Sequence, residues 1–393
     1  MNIAFIFHSP IIPFLGGVQR VSDILAREFI EMGHNVIFIS TSEYCDDYTC
    51  YTAKQYYLAG YMTSKQDYIN QYSKILVDNC IDVCLIQELI EETLFLLKNT
   101  PKSIKTVAAY HTVPYPFVGK ERRIKKNLHS KSLKVNFFKY LIMALPWIGR
   151  YKYINTETKL FSDFINNADK LVLLSERFFE NILKYQPHCD VNKLAAINNP
   201  NTFSLPDNTE TEKQKIIIVV ARLVEVPKNI REFIDVWSIL CVNNPGWKAL
   251  IIGDGSDRQY LEEYANKKCV TNIEFLGHIS DVSQYYKNAS FVCTTSLLEG
   301  WGMSLTEGMA YGCIPCAYGS YGSVYDIIDD GINGIISTPF KPHVMANRIQ
   351  SVIDDDKLYK QISQNAKNKV KLFSAKNTAI KWINMFNSLI NDK

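Results

Sequence analysis

Short apolar runs alternate with amphipathic stretches along most of the chain. Runs of this kind are typical of strands that are buried on both faces of a parallel sheet. Because stretches of helical periodicity separate most of the runs, the pattern predicts βαβ units. The predicted strands are NIAFIF, NVIFIS, DVCLIQ, KTVAAY and KLVLLS in the first half, and KIIIVVA, KALIIG, IEFLG, SFVCTT and IPCAY in the second.

The alternation pauses once, near the middle of the chain. Residues 198–214 read NNPNTFSLPDNTETEKQ, a polar stretch with two prolines and the composition of a linker. We therefore expect two doubly wound α/β domains, residues 1–202 and 203–374, with residues 375–393 forming a helix that packs back on the N-terminal domain. Such sheets bind ligands beyond the carboxyl ends of their strands, so we expect the site in a cleft between the domains.

Composition narrows the classes of protein that fit this pattern. The 393 residues exceed what one hydrophobic core usually covers, and 47% hydrophobic against 21% charged residues excludes intrinsic disorder. No run approaches the ~18 consecutive apolar residues of a membrane span. The sequence begins MNIAFIF, with no basic region before its apolar run, so we interpret it as a first strand rather than a signal peptide.

Positive charge is concentrated in residues 120–152. This segment carries ten Lys and Arg residues against one acid, whereas the rest of the chain carries 33 bases and 39 acids. The apolar run FFKYLIMALPWI lies inside it, and this mixture suits the surface of an anionic membrane. We expect peripheral binding to the inner face of the cytoplasmic membrane; a solvated basic loop is the alternative. The residues expected at the membrane or acceptor are Arg122, Arg123, Lys125, Lys126, Phe137, Phe138 and Trp147.

The most specific motif is SLLEGWGMSLTEGMAYG, residues 296–312, which follows the predicted strand SFVCTT. Its glycines allow a tight turn, and residues 303–311 are predicted to form a helix whose first N–H groups bind an anion. Glu299 lies before this helix and Glu307 about one turn inside it. A carboxylate accepts two strong hydrogen bonds, which suits the hydroxyls of a sugar or ribose.

The second motif is ARLVEVPKNIREF, residues 221–233, directly after the strand KIIIVVA. Arg222 and Lys228 lie in its strand-to-helix loop, at the expected ligand end of the sheet. Two cations there suit a diphosphate, Arg as a planar fork and Lys as a point charge.

Two further features follow strands of the N-terminal half. FLGGVQR, residues 14–20, places Gly16 and Gly17 at the start of the first predicted helix, where the backbone can approach a phosphate or sugar. The pattern is not GxGxxG, so it does not support dinucleotide binding. His111 ends KTVAAY, and a polar residue there is expected to face the cleft; a structural histidine is the alternative.

Together these motifs resemble those of the retaining glycosyltransferases of family 4, which have the GT-B fold of two Rossmann-like domains. The resemblance covers nearly the whole chain, and its most specific element is the Glu-x7-Glu spacing of Glu299 and Glu307 within EGWGMSLTEG. The segments GHISD and DGINGIIS match other family landmarks. Trp301 is an aromatic variant of the family's EGFG, and Gly308 stands where the family more often has alanine.

The resemblance implies a role for each matching residue. Glu307 would hold the ribose, Glu299 the donor sugar, and Arg222 and Lys228 the diphosphate. His111 would lie near the anomeric centre. The donor would also meet Gly16, Gly17, Ile279, Gly300, Gly302, Met303, Ser304 and Leu305.

The resemblance also implies an activity. The chain would transfer a sugar with retention, from a nucleotide-sugar with uridine as the expected base, to a lipid-linked or saccharide acceptor in bacterial polysaccharide synthesis. We expect no metal requirement, since the one Asp-x-Asp match, residues 354–356, lies between two amphipathic stretches. A sugar-nucleotide epimerase of related architecture is the alternative enzyme, and a nucleic-acid-binding protein is the alternative outside enzymes; the apolar run within 120–152 argues against the latter.

Overall fold

The computed structural model divides into two compact units. One comprises Met1–Pro114, Tyr153–Thr202 and Ala375–Lys393, and the other comprises Tyr115–Lys152 and Phe203–Ser374. The sequence pattern places 120–152 in the N-terminal domain because it lies between two strands of that domain; most of this segment falls outside the residues that the structure describes. The structure describes residues 1–14, 16–42, 51–116, 146–203 and 212–391.

Each unit contains one parallel sheet, as the alternating pattern predicts. The described part of the first unit has seven strands and that of the second has six. The first sheet consists of β1 (Asn2–Phe7), β2 (Asn35–Ser40), β3 (Lys54–Tyr57), β4 (Val83–Ile86), β5 (Lys105–Tyr110), β6 (Lys170–Leu173) and β7 (Leu194–Ala196). The second consists of β8 (Gln214–Val220), β9 (Lys248–Ile252), β10 (Ile273–Gly277), β11 (Ala289–Thr294), β12 (Ile314–Tyr318) and β13 (Ile335–Ser337).

Helices connect most of these strands. Short 3₁₀ turns at Glu176–Phe178, Val191–Lys193 and Lys371–Phe373 supplement them. The described helices are α1 (Gly17–Glu31), α2 (Lys65–Asp78), α3 (Glu91–Lys98), α4 (Pro146–Asn167), α5 (Phe179–Leu183), α6 (Glu225–Lys228), α7 (Ile230–Asn243), α8 (Arg258–Lys267), α9 (Ser283–Asn288), α10 (Met303–Ala310), α11 (Val324–Ile327), α12 (Pro342–Ile353), α13 (Asp356–Val370) and α14 (Ala375–Asn391). Within the described residues, none of these helices has both the length and the apolar character needed to cross a bilayer.

Strand order places a reversal at the middle of each sheet. The first sheet runs β3-β2-β1-β4-β5-β6-β7 and the second β10-β9-β8-β11-β12-β13. In the first sheet the chain adds β2 and β3 on one side of β1 and then crosses to place β4 on the other side. In the second sheet it adds β9 and β10 on one side of β8 and then places β11 on the other. Loops leaving the two central strands diverge at such a point and leave a crevice at the carboxyl edge of the sheet.

The C-terminal helix α14 packs against the first unit. Helix α1 buries Val21, Leu25 and Phe29 at helical spacing. The ring of Phe29 lies 5.9 Å from that of Phe5 in β1 and 6.1 Å from that of Phe386 in α14. Residues 375–391 thus complete the apolar layer over the first sheet, although they follow the second unit in the chain.

The second unit is tightly packed where α10 crosses its sheet. Gly308 lies in α10 against β11, and a Cβ added there would stand 2.6 Å from Cγ1 of the buried Val292. Sterics therefore explain why residue 308 is glycine where the family more often has alanine, because α10 approaches β11 too closely for a methyl group.

We expect Gly308→Ala to destabilise the protein by about 1–2 kcal/mol. Overpacking costs ~1–3 kcal/mol, and the gain in helix propensity of up to ~1 kcal/mol only partly offsets it. Urea unfolding measures the change. Gly246→Ala is the matched control, because its Cβ would meet only the flexible Lys215 chain at 4.0 Å. A Gly308→Ala protein as stable as the wild type would contradict the packing.

Candidate active site

Two loops of the second unit meet at the reversal between β8 and β11. The connection from β8 to α7, here called the loop after β8, includes the single turn α6 and carries Arg222 and Lys228. The loop after β11 carries Glu299. Because the two strands are adjacent and parallel, their carboxyl ends lie side by side. The two most specific sequence motifs therefore converge at the place where a doubly wound sheet binds its ligand.

Lys228 and Glu299 form an ion pair across these loops. Nζ of Lys228 lies 2.6 Å from Oε1 and 3.0 Å from Oε2 of Glu299. Their side chains are 25% and 16% exposed, so the pair is largely shielded from solvent. Ser296 supports it, since its hydroxyl lies 3.4 Å from Oε1 of Glu299. A cation and a carboxylate are thus held at one spot.

Arg222 differs from Lys228 in its surroundings. It follows β8 directly, and its side chain is exposed. Among the described residues it has no ion pair or side-chain hydrogen bond, so its guanidinium is available to an anion. The side chain of Lys228 is already ordered by Glu299, whereas that of Arg222 is not.

Gly302 shapes the start of α10. Its φ of +101° lies in the region that favours glycine, and a Cβ there would stand 3.2 Å from the hydroxyl of Tyr321. No side chain caps the helix at this residue. The first N–H groups of α10, at Met303 and Ser304, therefore begin directly beyond the loop that holds Gly300 and Glu299, and Leu305 is buried behind them. This is a helix terminus of the kind that binds anions.

Glu307 is nearly inaccessible, with 5% of its surface exposed. The hydroxyl of Tyr286 donates to its Oε2 at 3.0 Å. The rings of Tyr286 and Tyr311 stack at 6.2 Å with planes 5° apart. The Glu307 carboxylate is therefore held by Tyr286, whose ring stacks on Tyr311, whereas the Glu299 carboxylate is held by the ammonium of Lys228.

The end of β10 lies next to the end of β9. Ile279 follows β10 and is half-buried. The N–H of Gly253 donates to the carbonyl of Gly277 at 2.8 Å. A Cβ on Gly253 would stand 1.9 Å from the carbonyl oxygen of Ala221, so glycine is required where the loops after β8 and β9 touch. Ile279 therefore belongs to the same edge of the sheet as Arg222.

Glu225 is a buried acid inside the loop after β8. Its Oε1 accepts a hydrogen bond from the N–H of Arg231 at 3.0 Å, and its own N–H donates to Asp257 at 2.7 Å. Burial raises the pKa of Glu225 to about 7, more than the N–H of Arg231 lowers it. The carboxyl of Glu225 is therefore half-protonated near neutral pH.

We expect Glu225→Gln to gain stability relative to the wild type as the pH rises. Between its ordinary pKa of 4.5 and about 7 the folded protein holds a proton at Glu225 that the unfolded chain releases, so wild-type stability falls with rising pH in this window. The difference between variant and wild type should grow by about 2–3 kcal/mol from pH 5 to pH 8. Urea unfolding at both pH values measures it, with the exposed Glu274→Gln as control. A difference that does not depend on pH would contradict the buried state of Glu225.

The first unit places a polar cluster at the same edge of its own sheet. Nε2 of His111, after β5, is hydrogen-bonded to Oε1 of Gln87, which follows β4. The N–H of His8, after β1, donates to Oε2 of Glu88 at 2.8 Å. Burial lowers the pKa of His111 to about 4, so its ring is neutral at pH 7 and cannot pair electrostatically with an anion.

Gly16 and Gly17 begin α1 in this unit. Gly16 is extended, with φ of −171° and ψ of 163°, and a Cβ there would meet nothing within 4 Å. The described residues therefore give no steric reason for glycine at Gly16. Its role at a ligand remains a prediction.

Several site residues were not found from the sequence. Gln87 ends the predicted strand DVCLIQ and Glu88 follows it, and polar residues at the end of a buried strand are the signal that would have found them. Tyr286 carries no such signal, because its contact with Glu307 joins two separate elements. The membrane residues Arg122, Arg123, Lys125, Lys126, Phe137 and Phe138 lie outside the described residues, and of Trp147 only the main chain, in α4, is described.

Among the residues that the structure describes, no group of three or more His, Cys, Asp and Glu side chains is arranged to hold a metal ion.

Comparison with known proteins shows similarity to glycosyltransferases. Residues 201–369 match the model of the glycosyl transferases group 1, which covers the whole of the Lys228–Glu299 site. An uncharacterized glycosyltransferase of Haemophilus influenzae is 24% identical over 359 residues, 90% of this chain and 91% of that protein. The Campylobacter jejuni GalNAc-alpha-(1->4)-GalNAc-alpha-(1->3)-diNAcBac-PP-undecaprenol alpha-1,4-N-acetyl-D-galactosaminyltransferase is 26% identical over 51% of this chain and 56% of that protein.

Solved structures agree on the architecture. Anabaena Alr3699/HepE, determined in complex with UDP, is 15% identical and superposes with a TM-score of 0.74 over 99% of this chain and 100% of that chain. At this identity the likeness concerns the fold, and it confirms the two parallel-sheet domains expected from the sequence.

Proposed function

We propose that the chain, which has the GT-B fold, is a glycosyltransferase that moves a sugar from a UDP-sugar, with retention of configuration, to a lipid-linked or saccharide acceptor in the synthesis of a surface polysaccharide. The observation that carries the proposal is the Lys228–Glu299 pair at the reversal of the second sheet. It joins a cation suited to a diphosphate with a carboxylate suited to sugar hydroxyls.

The site's charges fit the departure of a nucleoside diphosphate. Cleavage of the bond to the sugar leaves negative charge on the diphosphate, and fixed donors stabilise that charge without rearranging. An ammonium has three N–H donors, so Lys228 can bind a phosphate oxygen while still facing Glu299. Arg222 adds a second cation, and the start of α10 adds N–H groups. We propose that Glu307 holds the ribose and Ile279 lies at the base.

The relatives support the donor and acceptor classes. The C. jejuni relative is named for a substrate linked to undecaprenol diphosphate, and the Anabaena structure holds UDP. The neutral His111 suits a place beside the sugar, where it can accept or donate one hydrogen bond without adding charge. We propose that the leaving phosphate, rather than a protein side chain, takes the proton of the acceptor.

A panel of UDP-, GDP- and ADP-sugars tests the proposal. Release of one nucleoside diphosphate at a rate that increases when an acceptor is added is the expected result. The anomeric configuration of the product decides between retention and inversion. A sugar-nucleotide epimerase, the second candidate from the sequence, would instead convert the donor with no acceptor present. Formation of an epimeric nucleotide-sugar without acceptor would therefore overturn the proposal, whereas hydrolysis of the donor would not.

We further propose that transfer needs no metal ion, because Lys228, Arg222 and the start of α10 take the place of a cation at the diphosphate. In excess EDTA, the rate of transfer is expected to equal the rate measured without EDTA. The measurement is the rate of nucleotide release with and without chelator. Loss of activity in EDTA with recovery on adding Mn²⁺ would contradict this.

We propose that residues 120–152 hold the protein on an anionic membrane. The segment carries ten bases and one acid, whereas the rest of the chain is net negative with 33 bases and 39 acids. Each base near such a surface contributes roughly 1 kcal/mol within a Debye length. Vesicles with phosphatidylglycerol should bind the protein and release it at high salt. Replacing Arg122, Arg123, Lys125 and Lys126 with Ser should reduce binding and leave donor hydrolysis unchanged. Equal binding to neutral vesicles would favour a solvated loop.

A further inference from the structure

We infer that Asn229 is a positioning residue of the donor site, which holds Lys228 against Glu299 by fastening the loop after β8 to the loop after β11. The inference rests on the proposed function, since it assigns Asn229 a part in sugar transfer. The side chain of Asn229 acts through the main chain of the opposite loop, whose Thr295 carbonyl accepts its hydrogen bond.

Asn229 and Thr295 exchange two hydrogen bonds. Nδ2 of Asn229 donates to the carbonyl of Thr295 at 3.0 Å, and Oγ1 of Thr295 donates to the carbonyl of Asn229 at 2.9 Å. Both residues are 1% exposed. A third bond joins the same loops, from the N–H of Leu297 to the carbonyl of Pro227 at 2.8 Å. The two loops are therefore fastened by three bonds, two of them shielded from water.

These bonds flank the charged pair. Lys228 lies between Pro227 and Asn229, both of which bind the opposite loop, and Glu299 follows Leu297 by two residues. A lysine side chain is long and flexible, so the position of its ammonium depends on a fixed main chain. The hydrogen bonds between the two loops fix the main chain on both sides of Lys228.

The residue type at position 229 fits this task. Its main chain is left-handed, with φ of 53° and ψ of 44°, a region that asparagine and glycine tolerate. Glycine would keep this main-chain conformation but remove the side-chain amide, so Asn229→Gly isolates the effect of that amide. Because Asn229 is uncharged, any effect on turnover must come from placement rather than from charge.

The experiment compares Asn229→Gly with a matched variant elsewhere in the unit. Asn272 is also left-handed, with φ of 54°, and its Nδ2 donates to the carbonyl of Pro245 at 3.0 Å, but it is exposed and lies at the opposite end of the sheet, before β10. Asn272→Gly therefore reports the loss of one asparagine bond without any effect on Lys228. Thr295→Val removes the partner hydroxyl, and Thr295→Ser retains it.

We expect Asn229→Gly and Thr295→Val each to lower kcat for transfer by ~10- to 100-fold, since a misplacement of about 1 Å can cost ~10²-fold. Affinity for UDP should also fall, while KM for the acceptor stays unchanged. Thr295→Ser should restore kcat, and the double variant should be no slower than the slower single variant, because both remove one unit. A role in stability alone would lower the midpoint of unfolding and leave kcat of the folded protein unchanged.

The outcomes separate the inference from the proposed function. Wild-type transfer with normal kcat in Asn229→Gly, or an equal loss in Asn272→Gly, would overturn the positioning role and leave the proposed function intact. A wild-type protein that transfers no sugar from any nucleotide-sugar would overturn the proposed function, and the role assigned to Asn229 with it.

Discussion

Lys228→Ala is expected to lower kcat/KM for the donor by ~10²–10³-fold. Its ammonium is held 2.6 Å from Glu299. We propose that the leaving diphosphate gains charge beside it, so removing the side chain takes away a preorganised donor. Charge-assisted donors of this kind contribute about 2–4 kcal/mol to transition-state stabilisation. The loss should appear mainly in kcat, because the charge is larger in the transition state than in the bound donor.

The matched control is another lysine–glutamate pair of the same unit. Lys248 lies 3.2 Å from Glu274, but both side chains are about half exposed and lie away from the loops after β8 and β11. An exposed pair of this kind contributes ~0–1 kcal/mol, so Lys248→Ala should retain wild-type kinetics. Steady-state kinetics of both variants measure the difference. A wild-type value of kcat/KM in Lys228→Ala would contradict the role proposed for Lys228 at the diphosphate.

Glu307→Gln is expected to weaken UDP binding by ~10- to 100-fold. The substitution keeps the shape of the side chain, and its amide oxygen can still accept from Tyr286, but it loses the charge that makes a carboxylate a strong acceptor. A hydrogen bond to a charged group contributes ~1.5–3 kcal/mol. Calorimetry with UDP measures the loss, and a UDP analogue without ribose hydroxyls should bind wild type and variant equally.

Glu299→Gln serves as the contrasting variant. We propose that its carboxylate binds the donor sugar, so we expect lower turnover with little change in UDP affinity. An equal loss of UDP affinity in both variants, or a Glu307→Gln effect that persists with the analogue, would contradict the division of roles between the two carboxylates.

The fold was largely predictable from the hydrophobic pattern, since buried parallel strands produce uninterrupted apolar runs. The strands that were missed are those without such a run. KQYY of β3 is partly exposed at the edge of the first sheet, and β7 and β13 are three residues long. Edge position and short length both remove the periodic signal on which the prediction depends.

The two motifs that form the site were predictable from the sequence, but the contact between Lys228 and Glu299 was not. The sequence indicates that Lys228 and Glu299 each lie at a ligand end of the sheet, yet 71 residues separate them and no local pattern shows that they pair. The Tyr286–Glu307 bond and the Asn229–Thr295 bonds likewise join separate elements. The reason for glycine at Gly308 also lies in a neighbouring strand, in Val292, and so could not be read from the helix alone.

A crystal structure of the protein with UDP tests the central claim most directly. We expect the diphosphate within hydrogen-bonding distance of Lys228 and Arg222 and at the first N–H groups of α10, with the ribose hydroxyls on Glu307 and the base at Ile279. A nucleotide bound with both cations turned away from its diphosphate, or bound away from the loops after β8 and β11, would contradict the account.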